Sequence, residues 1–493
     1  MAAEAVPFAK VGGLADVTNA LSRALASLGT RVTLVVPAYG SIDRGEHRVR
    51  PMPGPETVSI PVGEQRLPLR LETARLPDSE VEVLFVGQDR YFGRAGIYTD
   101  PHTGREFADQ AERFVFFCRG VVEALRVLGR RPDVLHLNDY HTALVAAYAR
   151  TTPGADAFFA ATAILFGIHN LGYQGLFPAS LFPLTGLPAA YMAPLGTLEF
   201  WGRMNFMKAG LVLADALCTV SPTYGREIQS GEEYGYGLQG VLQSRSRDLY
   251  GILNGIDSGV WNPALDRLIP QRYDCERLQG KETCKRALRA RLGLPQTPDT
   301  PLFGSISRLA EQKGLDLVLE ALPALLASGL QLVVLGSGQE EFETALAEMA
   351  RQHPRQVAVS LSFDETLAHW IEAGCDFFLM PSRYEPCGLN QMYSLNYGTV
   401  PVVRRTGGLA DTVSDWEPLS GTGNGFVFEA YRAEALIEAV GRAVSTFRDE
   451  AAMRTLQRRG MMADFGWRAS ARRYLEIYGL ALERRGLVAP RSA

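Results

Sequence analysis

The chain of 493 residues has room for two or three domains, each burying its own core, and its 46% apolar and 21% charged content is that of a soluble globular protein. A net charge of −4 excludes recruitment of nucleic acid or an anionic membrane surface by bulk electrostatics, so any bound anion must be held by a local cluster of cations. Six cysteines without a CxxC spacing read as reduced thiols of a cytoplasmic protein, no secretory segment opens the chain, and the longest apolar run, 157–168, is too short to cross a bilayer.

Taken in order, the chain opens on a glycine turn, Lys10-Val11-Gly12-Gly13. A helix follows with Leu14, Val17, Leu21, Leu25 and Leu28 on one stripe, ended by Gly29. Residues 32–36 read as a strand stopped by Pro37. Residues 38–77 are polar and turn-rich, which suits hairpins or loops. A strand is expected at 83–86, a surface loop at 91–100, a helix at 107–128 and a strand at 134–137. That strand ends in His136-Leu137-Asn138-Asp139-Tyr140-His141. A second strand, 160–168, ends in His169-Asn170-Leu171-Gly172-Tyr173-Gln174-Gly175. A helix at 206–214 and strands at 217–220 and 249–253 complete one α/β unit, and Asn254-Gly255-Ile256-Asp257 reads as the hinge.

After a polar, Arg-rich link, a second unit begins with a strand at 302–307 leading into Arg308-Leu309-Ala310-Glu311-Gln312-Lys313-Gly314. Its next helix carries Leu315, Val318, Leu319, Leu322 and Leu326 on one face. Strands follow at 332–335, 357–361, 377–380 and 400–403, and the last helices at 433–447 and 469–482. Strands alternating with helices imply parallel sheets. Gly12-Gly13-Leu14-Ala15-Asp16 recurs as Gly407-Gly408-Leu409-Ala410-Asp411, each at an expected helix start. Unpaired N–H groups at such starts suit an anion. Gly336-Ser337-Gly338 lacks the third glycine and partner acid of a dinucleotide fingerprint.

The densest chemistry lies in PSRYEPCGLNQMYSLNYGTVPVVRRTGGLADTV, residues 381–413. A carboxylate, Glu385, stands at a strand-to-helix turn beside Cys387, Gly388 and Leu389, whose backbone N–H groups can face a ligand. No Asp-x-Asp pair is present to hold a metal, and Arg308 and Lys313, five apart across a strand-to-loop junction, are two cations that taken alone read as a solvated face. His136, Asp139, His141 and His169 leave a zinc reading open, although nothing completes a metal-ligand spacing.

The 381–413 stretch and SRLAEQKGLDL closely resemble the nucleotide-sugar signature of the bacterial glycogen and plant starch synthases, and the resemblance runs from Glu4 to about Tyr478. It implies the GT-B architecture: α/β, with two Rossmann-like domains facing a cleft. The expected division is 1–255 for the N-terminal acceptor-binding domain, 256–468 for the nucleotide-sugar-binding domain, and 469–493 for a helix packing back on the first. The family's strand ahead of Glu4 is absent from this sequence, so the N-terminal sheet is expected to lack its first strand. By the same resemblance the enzyme transfers glucose from ADP-glucose to the non-reducing end of an α-1,4-glucan with retention, without a cofactor or metal. Arg308, Lys313, Glu385, His169 and Asp139 carry catalysis. Lys10, Gly12, Gly13, Asn170, Asn254, Cys387, Gly388 and Leu389 hold ADP-glucose, and Glu4, His141 and Tyr173 lie on the acceptor side. The sequence departs from the pattern at Tyr140, where the family has Trp, and at Asn390, where it has Thr. Tyr393 stands where related transferases carry a second Glu. Two other readings stay open: a UDP-sugar-dependent transferase of the same architecture, and a non-catalytic glucan-binding protein. No nucleic-acid or membrane partner is expected, and no oligomeric state is assigned.

Overall fold

The computed structural model describes residues 1–52, 58–362 and 364–487. Its contacts divide the chain into two compact units. One comprises Met1–Val220, Gly225–Ile252 and Trp467–Ala493; the other comprises Ser221–Tyr224 and Leu253–Gly466.

In the first unit, four parallel strands lie in the order Leu249–Gly251, Ala216–Thr219, Ala163–Ile168 and Val134–Asn138. A second piece of sheet starts with Thr33–Pro37, parallel to Glu82–Gly87, and continues antiparallel through Arg70–Arg75 and Arg50–Pro51. Met1 and Ala2 connect the two pieces, the Met1 amino group donating to His136 O (2.8 Å) and Ala2 N to Val35 O (3.1 Å). The helix Gly13–Ser27 buries Val17, Leu21 and Leu25 against Trp467, Ala471, Tyr474 and Ile477 of the helix Trp467–Arg484. Burying a leucine stabilises by about 1.5–3 kcal/mol, which is why this stripe decides where the helix lies.

The turn-rich stretch expected at 38–77 contains a hairpin, Ser59–Val62 with Gln65–Pro68, turning through Gly63 at φ +58°. Residues 53–57 of that stretch lie outside the described residues. The strand expected at 160–168 is shorter, Ala163–Ile168, because Ala155–Phe158 closes a helical turn ahead of it.

The second unit is a six-stranded parallel sheet. Its order is Val357–Ser360, Gln331–Leu335, Leu302–Ile306, Phe377–Met380, Val400–Arg404 and Phe426–Phe428. Counted from Leu302, this is the doubly wound order 3-2-1-4-5-6, and the strand order reverses between Leu302–Ile306 and Phe377–Met380. Ligands of such sheets bind outside the carboxyl ends of the strands at that reversal. Leu315, Val318, Leu322 and Leu325 of the helix Leu315–Ala327 are buried in this unit's core with Phe303, Phe377 and Val402.

One helix hides in the Arg-rich link. Gln279–Arg291 turns charged side chains inward, where each is bonded. Lys285 pairs with Asp376 (2.8 Å), Lys281 donates to Thr399 Oγ1 (2.6 Å), and Arg289 donates to Gln331 Oε1 (2.8 Å). An apolar stripe is therefore missing from its sequence although the helix is packed.

Candidate active site

The residues singled out from the sequence fall into two groups, one at the carboxyl ends of the strands in each unit.

In the first unit, Asp139 follows the strand Val134–Asn138 with φ +56°, a left-handed backbone that few non-glycine residues adopt. Its buried Oδ1 accepts from His169 N (2.7 Å) and Asn170 N (3.4 Å), tying together the ends of two neighbouring strands. Burial pushes its carboxyl up to about 7, against the pull of those two N–H groups. His169 is kept neutral, lowered to about 4 by desolvation.

Asn138, passed over in the sequence, fixes the tautomer of His169. Its Nδ2 donates to the Met1 carbonyl (2.8 Å), which can only accept, and this leaves Oδ1 to accept from His169 Nε2 (2.8 Å). His169 therefore carries its proton on Nε2 and offers a lone pair at Nδ1. Asn170 Oδ1 accepts from Gly172 N (3.0 Å) and shapes the turn before the half-exposed Tyr173.

His141 is buried and stacked on Tyr140 (3.7 Å between ring centroids) and Tyr98 (5.0 Å), and desolvation lowers it to about 3. Tyr140 thus fills the family's Trp position with another flat ring. Glu4 is buried and fully engaged. Oε2 accepts from Val11 N (2.6 Å) and Gly12 N (2.9 Å), and Oε1 accepts from Tyr98 OH (2.7 Å). Its carboxylate fixes the Lys10-Val11-Gly12-Gly13 loop, and burial raises its pKa. Gly13 opens the helix, and exposed Lys10 pairs with Asp16 (2.8 Å), a contact worth about 0–1 kcal/mol.

In the second unit, the loops leaving the two strands at the sheet reversal meet. Lys313 Nζ lies 2.6 Å from Glu385 Oε2, which also accepts from Ser382 Oγ (3.0 Å). Glu385 is buried and Lys313 partly so. The approach depends on glycine. Gly314 has φ +71°, and a Cβ there would stand 2.1 Å from Pro381 O. Gly407, φ +45°, would bring one within 1.9 Å of Glu385 O. Gly407 and Gly408 open a helix, like Gly12-Gly13, and Gly408 N donates to Glu385 O (3.1 Å). Arg308 occupies the turn after Leu302–Ile306, on the side of Gly336-Ser337-Gly338, where Leu309 N donates to Ser337 O (2.9 Å). Those glycines serve close loop packing: a Cβ on Gly338 would lie 2.2 Å from Leu309 O.

Cys387 is buried, takes hydrogen bonds from Asn254, and is pushed up to about 12 by burial, so it is no thiolate nucleophile. Asn254 is buried, and its Oδ1 has no hydrogen-bond partner among the described residues. Gly388 has φ +70° and leads through Leu389 into the helix Asn390–Asn396. Asn390 Nδ2 donates to Ile306 O (2.7 Å), bracing the reversal point. Tyr393 is buried and stacked on Trp261 (4.0 Å), a packing role at the position of the second Glu. Among the described residues no group of three or more His, Cys, Asp or Glu side chains could hold a metal ion. His136 instead bonds Tyr478 OH through Nδ1 (2.9 Å).

Family models match both units: "Starch synthase catalytic domain" over residues 1–244 and "Glycosyl transferases group 1" over 287–455. The chain is similar to the structure of the catalytic domain of Starch Synthase IV from Arabidopsis thaliana bound to ADP and acarbose. They share 32% identity and a TM-score of 0.88, covering 98% of both chains. The sucrose-phosphate synthase of Thermosynechococcus elongatus, at 17% identity, TM-score 0.58 and coverage of 95% and 93%, shares the fold alone. The match, the doubly wound sheet and the strand-end residues define a glycosyltransferase of the GT-B class. Curated relatives narrow this. The glycogen synthase of Anaeromyxobacter sp. (strain Fw109-5) is 48% identical over 99% of both chains, and that of Thermotoga maritima 43% identical over 98% of both. The chain belongs to the glycogen synthase family. Among the described residues no helix is long and apolar enough to cross a membrane.

Proposed function

We propose that this protein transfers glucose from ADP-glucose to the non-reducing end of an α-1,4-glucan with retention of configuration, elongating glycogen in the cytoplasm. The observation that carries the reading is the near-complete match to glycogen synthases, over 98–99% of each chain. Arg308 and Lys313 stabilise the diphosphate as the C1–O bond breaks, acting as preorganised charge where negative charge develops. Lys313 is already neutralised by Glu385, so an arriving diphosphate draws the ammonium toward itself while Glu385 turns to the sugar hydroxyls. Lys10, on the loop held by Glu4, adds a further cation. Neutral His169 accepts from a glucose hydroxyl through Nδ1, and Asp139 keeps the His169–Asn170 segment in place. The acceptor 4-hydroxyl attacks C1 on the face the phosphate leaves, and its proton passes to the departing phosphate oxygen. No side-chain nucleophile is needed.

The test is incorporation of labelled glucose into glycogen from ADP-glucose and UDP-glucose in parallel. The reading expects ADP-glucose to be preferred, with activity unaffected by EDTA. Preference for UDP-glucose would move the chain to a UDP-sugar enzyme of the same architecture. Glycogen binding without transfer from either donor would make it a non-catalytic glucan-binding protein.

A further inference from the structure

The strand-end segment His169–Gly175 runs without a break into a small antiparallel sheet of Leu176–Pro178, Arg203–Asn205 and Glu199–Phe200. The hairpin joining the last two turns in two residues, Trp201 and Gly202, with φ +52° and +75°. Two left-handed residues make the hairpin turn that favours Asn-Gly, because a side chain with bulk at the first position is strained. Here that position holds a tryptophan that is 83% exposed. Nearby in sequence, Leu195 repeats the pattern, with φ +64° and 93% exposure. Neither residue gains burial in exchange for its strain, and strain that nothing inside the fold repays marks a functional position.

The support beneath them is rigid. Lys208 Nζ donates to Gly196 O (2.9 Å) and Glu199 O (2.5 Å), fixing the loop of Leu195 and the base of the Trp201 hairpin with one ammonium. Glu199 Oε1 accepts from Gly202 N (3.0 Å) and closes the turn. Buried Asn205 donates to Gln174 Oε1 (2.7 Å), and Gln174 Nε2 donates to Tyr236 O (3.1 Å), anchoring the sheet to the strand-end segment.

From this geometry we infer that Trp201 and Leu195 form a docking platform for an α-glucan chain, outside the residues that handle the transferred glucose. The inference rests on the glucan-elongating reading. A pyranose ring presents a flat C–H face that lies on an indole, and an uncharged polymer suits apolar contacts better than ionic ones. The platform is also continuous with the segment bearing His169, Asn170 and Tyr173, so a chain held there leads to the acceptor side. Binding of remote units that do not react is a common way to hold a polymer for reaction at its end.

The test uses Trp201→Asn and Leu195→Asn in the full chain. Asparagine accepts the left-handed backbone, so these variants remove the apolar faces while relieving strain. Donor-free affinity electrophoresis in glycogen gels should show at least fivefold weaker retention for Trp201→Asn, and more for the double variant. KM for glycogen should rise in parallel, with KM for ADP-glucose and Tm unchanged or Tm higher. Retention within twofold of the parent, or a parent that glycogen does not retard, overturns the platform. A variant that loses self-association while retention holds would assign the face to a second copy of the chain and also overturn it. A parent that binds glycogen but transfers no glucose defeats the proposed activity and leaves the platform standing.

Discussion

Replacing Lys313 by alanine separates a structural ion pair from a leaving-group stabiliser. In the resting protein its ammonium lies 2.6 Å from Glu385, whose carboxylate side chain is only 7% exposed. At an effective dielectric near 20, two unit charges at that separation attract by roughly 6 kcal/mol before desolvation is subtracted. Breaking a buried pair from one side typically costs about 3–5 kcal/mol. Here Ser382 still donates to the carboxylate and Lys313 is 20% exposed, so about 2–3 kcal/mol is the better figure. For a unit of this size that is a fall in Tm on the order of 5–10 °C. The kinetic effect should be larger: a loss of about 10²–10³ in kcat, or 3–4 kcal/mol, as when one preorganised donor to a developing anion is removed. Stopped assays with ADP-glucose below the melting range would measure it. A double-mutant cycle with Glu385→Gln tells the two roles apart. If Lys313 only neutralises Glu385, Lys313→Ala costs nothing further once Glu385 is replaced by glutamine. If Lys313 also meets the diphosphate, Lys313→Ala stays deeply impaired in the Glu385→Gln background relative to Glu385→Gln alone. A kcat change below about fivefold for Lys313→Ala would refute the leaving-group role.

Three further outcomes are expected. Asn138→Asp places a carboxylate at His169 Nε2, stabilising the imidazolium, so the acid limb of the kcat–pH profile should move up by more than about one pH unit, measured between pH 5 and 8. Asp139 is raised from 3.8 to about 7, so its folded form holds a proton that the unfolded chain releases; its stabilising effect is present below pH 4 and is lost as pH rises to 7. Asp139→Asn removes that dependence, and chemical denaturation from pH 4 to 8 should show the variant gaining on the parent by up to about 4 kcal/mol as pH rises. Gly407→Ala forces a Cβ against Glu385 O at a left-handed backbone position and should cost more than about 2 kcal/mol in denaturant unfolding while depressing kcat through displacement of Glu385.

Periodicity carried much of the fold. The apolar runs at 134–137, 302–307, 332–335, 377–380 and 400–403 hold strands, and the Leu315 stripe packs on the last four, those of the second unit, with Leu325 buried where Leu319 is only partly so. What was illegible depends on long-range partners. Gln279–Arg291 looked like a link because Lys281, Lys285 and Arg289 are satisfied by residues some 40 to 120 positions away. The sheet that presents Trp201 gave no signal, since its strands are two or three residues long. At the site, resemblance drew attention to Lys313 and Glu385, but no spacing joins residues 72 positions apart; the doubly wound strand order does. Asn138 was missed because an asparagine at a strand end reads as an ordinary turn former. Only its hydrogen bonds to Met1 and His169 show otherwise. The resemblance implies an acceptor-side place for Glu4, and its three bonds add a clamp on the glycine loop that no spacing reveals.

The most direct test of the central claim is transfer of labelled glucose to glycogen from ADP-glucose and UDP-glucose, with and without EDTA. The account expects robust incorporation from ADP-glucose, at least tenfold less from UDP-glucose, and no loss on chelation. Equal or greater use of UDP-glucose, or activity abolished by EDTA and restored by a divalent metal, would contradict it.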